Sequence, residues 1–112
     1  MEVVIREVGK VVILGFNGRI TLGEGSQILR DTISWQVSLG RRKIVLNLGD
    51  VTYIDSSGIQ EMVSSFVKVT NSGGALKLSN LTKRTLDLLQ TTKLYTVFEV
   101  HNIEADAVKS FK

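Results

Sequence analysis

Asp55, Ser56, Ser57 and Gly58 stand between a short apolar run and an amphipathic stretch, and they are the residues of this 112-residue chain best placed to do chemistry. Ile44, Val45, Leu46 and Leu48 have the composition of a strand covered on both faces. Ile59, Met62, Val63, Phe66, Val67 and Thr70 then recur at the spacing of one helix face. The tetrad therefore falls where a strand hands over to a helix, with a serine placed as the N-cap. A side-chain oxygen there accepts from the orphan backbone N–H groups of the first turn, and the positive end of the helix dipole faces it. Such a turn holds a hydroxyl well and a phosphate better. A plain N-cap accounts for the serine without any modification. Asp55 suits either a general base or a group that orients the loop through local hydrogen bonds.

Other chemistries find little purchase. His101 is the only histidine, and no G-x-S-x-G elbow accompanies it, so a hydrolase triad would need His101 to meet a serine across the fold. With no cysteine and scattered carboxylates, no metal-ligand spacing is recognisable. Gly18, Gly23 and Gly25 form neither a dinucleotide fingerprint nor a P-loop, and read as turn formers or a flexible binding edge. No cofactor is implied. Arg41, Arg42 and Lys43 are the only basic cluster, too short and too poor in aromatics for a nucleic-acid surface, and read as a solvated loop.

The elements that must position the tetrad follow from the rest of the chain. A hydrophobic share of 43% and a charged share of 22% are those of a folded globular protein, and the length suits one domain, residues 1–112. The charge is +3, a mild basic excess. Glu2, Arg6, Glu7 and Lys10 interrupt the apolar start, which leaves neither a secretory core nor a membrane span and points to a cytoplasmic protein. Val3–Ile5 and Val11–Leu14 read as a hairpin turning at Gly9 and Lys10. A helix carrying Leu29, Ile33 and Val37 follows, with Trp35 half-buried at its edge and Gly40 as its stop. After the central strand and its helix come a short strand, Ala75–Leu78, and a helix capped by Thr82 between the staple residues Leu81 and Leu86. Val97, Phe98 and Val100 suggest a last strand, and Asn102 a cap for a closing helix. The order ββαβαβαβα implies an α/β fold with a mostly parallel sheet and an N-terminal antiparallel hairpin.

The run IVLNLGDVTYIDSSGI resembles the signature of the STAS domain, most closely that of bacterial anti-sigma factor antagonists. The likeness extends to SGGALKLSNL and LLQTTKLYTVFEV and covers nearly the whole chain. It implies that Ser56 is a phosphoacceptor, flanked by Asp55, Ser57 and Gly58, in a partner-binding surface that also takes in Arg19, Thr21 and Glu24 of the stretch GRITLGEGS. Gly58, lacking a Cβ, would let a kinase or partner backbone come close to the serine. The resemblance further implies partner switching: the unphosphorylated domain binds an anti-sigma factor that is also a serine kinase, phosphorylation of Ser56 ends the contact, and a serine phosphatase resets it. Such a domain is a non-enzymatic regulator that touches neither DNA nor membrane. A non-switching scaffold, a transporter accessory subunit and a sensor of nucleotides or other small ligands are the alternatives within the same fold. The stretch containing Arg19 differs from the acidic run common in the family, and the basic overall charge differs from the family's usual acidity.

Overall fold

Gly9, at a φ of 60° that favours glycine, turns the first apolar stretch back on the second. The product is a hairpin of β1 (Glu2–Val8) and β2 (Val11–Ile20), paired antiparallel from Val8 with Val11 out to Glu2 with Asn17. The structure, a computed structural model, describes residues 1–111. After the hairpin come α1 (Glu24–Ser38), β3 (Lys43–Ile54), α2 (Ser56–Asn71), β4 (Ala75–Ser79) and α3 (Lys83–Thr91). A 3-10 turn at Tyr95–Val97 leads into β5 (Glu99–His101) and α4 (Glu104–Lys109). The strands lie side by side in the order β1-β2-β3-β4-β5, with β2 to β5 parallel, which is the α/β architecture the element order implies.

β3 is the middle strand, and Ile44, Val45 and Leu46 are sealed from solvent because side chains of alternate parity meet a different layer on each face. On one face Ile44 and Leu46 join Val12, Leu14, Leu29, Ile33, Met62 and Leu89 in the main core, under α1, α2 and α3. On the other, Val45 packs with Val11 and Ile13 against Ala107 of α4. Arg30 of α1 donates from Nε to Oε1 of the largely buried Glu61 of α2 at 3.0 Å, pinning the two helices together.

Several boundaries differ from expectation for local reasons. β3 continues past Leu48 to Ile54 because β2 runs on beside it, through register shifts at Gly15/Asn17 and Gly18/Arg19, so that Arg19 meets Tyr53 and Ile20 meets Ile54. The last strand is Glu99–His101: Val97 belongs to the 3-10 turn, and Phe98 is buried against Phe66 before pairing with β4 begins. Ile103, not Asn102, is the N-cap of α4, and no side chain bonds there. Thr82 caps α3 as expected, accepting from Thr85 N–H at 3.2 Å. Trp35 is 62% exposed rather than half-buried, and Val67 also faces out, because the buried face of α2 centres on Ile59, Met62 and Val69.

Candidate functional site

The register of β2 against β3 brings the two loops of the site together: Thr21 follows Ile20 and Asp55 follows Ile54, and those strand ends are paired. The N-cap of α2 is Asp55, not a serine. Its Oδ1 accepts from Gly58 N–H at 2.9 Å, while Oδ2 accepts from Leu22 N–H at 3.0 Å, so one carboxylate both caps the helix and ties the Thr21–Gly23 loop to it. The Asp55 carboxylate, with two acceptor oxygens, takes the capping position, which leaves Ser56 as the first residue of the helix, where it is exposed. The Leu22 N–H bond, followed by the bonds from Gly58 and the neighbouring amides, holds the Asp55 carboxyl below the ordinary carboxylate range despite an opposing effect of burial. Asp55 is therefore ionised at neutral pH and acts through its hydrogen bonds, beside a free-standing serine hydroxyl at the positive end of a 16-residue helix.

Gly58 is buried, so it contributes no contact surface. A Cβ on it would stand 2.2 Å from the Ile20 carbonyl oxygen, and one on Gly25 would stand 2.2 Å from the Arg19 carbonyl oxygen. The missing Cβ at residue 58 thus serves the fold's own packing: α1 and α2 both press their first turns onto the end of β2, and only glycine permits the approach. Ser57, beside Gly58, is half-buried.

Arg19, Thr21 and Glu24 share a shallow cleft of about 300 Å³ with Met1, Gly18 and Gly25. Within it Glu24 accepts from the amino group of Met1 at 3.4 Å, and the Thr21 carbonyl oxygen accepts from Ser26 N–H at 3.0 Å as the chain enters α1. The Arg19 guanidinium lies 5.1 Å from the Tyr53 ring centroid, and that of Arg84 lies 4.7 Å from the same ring. His101 sits on β5, two strands from β3, with Nε2 2.6 Å from Glu99 Oε2. Among the described residues no group of three or more His, Cys, Asp or Glu could hold a metal ion, and no helix is long and apolar enough to cross a membrane.

The family model for the STAS domain matches residues 2–107. This chain belongs to the STAS domain family. The anti-sigma-B factor antagonist of Bacillus subtilis is 40% identical over 53 residues, a match spanning 47% of this chain and 49% of that protein. The fold recurs in a crystal structure of a proposed anti-sigma factor antagonist from Thermotoga maritima, with a TM-score of 0.89, 24% identity and coverage of 96% of this chain and 92% of that one. It recurs also in the Bacillus cell fate determinant SpoIIAA in its phosphorylated form, with a TM-score of 0.75 and 18% identity over 99% of this chain and 100% of that one.

Within this STAS domain, sequence reasoning found the turn but missed three residues around it. Leu22 is 79% exposed, although its backbone is held by Asp55. Its signal was present: a lone leucine between Thr21 and Gly23 has no helical or strand partner to bury it. Tyr53 and Arg84 carried no such signal, because their meeting depends on α3 reaching the end of β3.

Proposed function

We propose that this STAS domain is an anti-sigma factor antagonist, a non-enzymatic cytoplasmic regulator that binds an anti-sigma factor with serine kinase activity and releases it once Ser56 is phosphorylated. The observation that carries this reading is the exposed Ser56 at the first residue of α2, set directly beside an Asp55 carboxylate whose pKa is held low. The kinase would transfer the γ-phosphoryl group of ATP to Ser56 Oγ: the Oγ–P bond forms, the bond to the β-phosphate oxygen breaks, ADP leaves and the hydroxyl proton departs. A serine phosphatase would restore the hydroxyl by hydrolysis.

The physical logic is local. A phosphate adds about −1.5 to −2 charges at pH 7. The first turn of α2 tolerates the anion, but its nearest amides already serve Asp55, so the new group adds its charge to an existing negative one. In an interface, like charges brought together cost several kcal/mol. The contact surface would comprise Asp55, Ser56 and Ser57 with the exposed Leu22, Arg19 and the Thr21–Glu24 loop, and Leu22 would supply the apolar anchor among polar neighbours.

The test is intact mass with site mapping after incubation with cognate anti-sigma factor kinases and ATP. One phosphate on Ser56, absent from Ser56→Ala, is the expected result. No phosphate with any cognate kinase, or phosphate placed only elsewhere, would overturn the reading.

A further inference from the structure

At the end of the sheet remote from Ser56, where β2 and β3 begin, the small core under α4 opens into a cavity of about 580 Å³. Val8, Val11, Val108 and Phe111 give it an apolar interior, and Lys10, Lys43 and Lys109 stand around it. A second cleft, of about 420 Å³, shares Gly9, Lys10 and Lys43 with the first and continues over Arg41 and Arg42. Among the described residues the only acidic side chain lining either space is Glu104, and it is already engaged: Arg6 and Asn47 both donate to its Oε1. Burial works to raise the Glu104 pKa, yet these bonds outweigh it and hold the carboxyl below its ordinary value. Arg41 pairs with Glu7, whereas no described carboxylate lies within ion-pair distance of Lys10, Lys43 or Lys109. An apolar chamber thus adjoins a cationic cleft through two shared lysines.

The geometry points to a binding site for a small anionic amphiphile, with its alkyl chain between Val8, Val11, Val108 and Phe111 and its phosphate or carboxylate head against Lys10 and Lys43. The volume is within the range of small-molecule sites, and the division into an apolar body with a few charged groups at one side is how such sites fix orientation. A neutral amphiphile would fill the chamber but leave the lysines without a partner. A free phosphate would meet the lysines but leave the apolar wall wet. The pairing of the two features selects a ligand that has both. This site is independent of the Ser56 switch, since it lies at the opposite ends of the parallel strands.

Calorimetric titration of the full chain with octyl phosphate, octanoate, octyl glucoside and inorganic phosphate tests it, with amide chemical-shift mapping to locate the site. Octyl phosphate or octanoate is expected to bind at least about tenfold more tightly than octyl glucoside and inorganic phosphate, a difference of about 1.4 kcal/mol. The shifts should centre on Val11, Lys43 and Val108. The double variant Lys10→Gln, Lys43→Gln should lose about fivefold or more in affinity for the anions and little for octyl glucoside. Ala105→Trp, which adds bulk to the cavity from an exposed position on α4, should abolish binding while the melting temperature stays close to that of the parent. Equal affinity for charged and neutral amphiphiles, full retention of binding in Ala105→Trp, or no binding of either anionic amphiphile would each overturn the assignment.

Discussion

A methyl group at residue 58 would sit 2.2 Å from the Ile20 carbonyl oxygen and 2.7 Å from Ile54 Cγ1, in a place with no room for it to move. Gly58→Ala is therefore expected to destabilise the domain by about 1–3 kcal/mol, the usual range for overpacking, as read from denaturant unfolding. It should disturb the site as well, because the same turn carries the N–H that Asp55 accepts. Asp55 gives a finer test. Asp55→Ala removes the acceptor for both Gly58 and Leu22 and should cost about 0.5–2 kcal/mol. Asp55→Asn keeps one side-chain oxygen and should cost less, with the Thr21–Gly23 loop gaining mobility in amide exchange. If both variants unfolded at the parent's denaturant midpoint, the carboxylate would not be the link between the loops.

The sheet edge supplies a prediction that belongs to one element. On β5, the hydrogen bond from His101, followed by the contact with Lys77 Nζ at 3.0 Å, lowers the Glu99 pKa to about 2 from the ordinary 4.5. A carboxyl whose folded pKa is depressed contributes stability that is complete above its unfolded pKa and disappears as pH falls toward the folded one. The stabilisation from β5 should therefore be present above about pH 4.5 and be lost on the way down to about 2, and it should be small because half of the Glu99 side chain is in solvent. A carboxyl carbon titration by NMR should place the Glu99 midpoint near 2 in the parent and higher in His101→Ala. Elements of this kind were only partly legible in the sequence. Gly9, the apolar run at Ile44–Leu46 and the Thr82 cap each carry their signal in a few adjacent residues, and the structure has all three as that signal implies. The extension of β3 to Ile54 and the short β5 depend on partners far along the chain, and so did not show. The turn at Asp55 lay between: its position was plain, but whether Asp or Ser took the cap turned on geometry that Leu22 helps to set.

At the scale of the whole molecule, the proposed switch changes a surface and leaves the fold intact. Ser56 is exposed, the core lies beneath α2 rather than at its tip, and both glycines that fit the helices to β2 are inside the domain. The chain phosphorylated at Ser56 should therefore give the circular dichroism spectrum of the unmodified chain and melt within about 3 °C of it, a change below about 1 kcal/mol for a chain of this size. A large fall in melting temperature would mean that release works by loosening the domain. The most direct measurement is calorimetric titration of the cognate anti-sigma factor with the unmodified chain, the Ser56-phosphorylated chain and Ser56→Ala. The expected result is binding by the unmodified chain and by Ser56→Ala, with affinity lower by about tenfold or more in the phosphorylated chain, as a like-charge clash of a few kcal/mol requires. Equal affinity of the phosphorylated and unmodified chains would contradict the switch at Ser56.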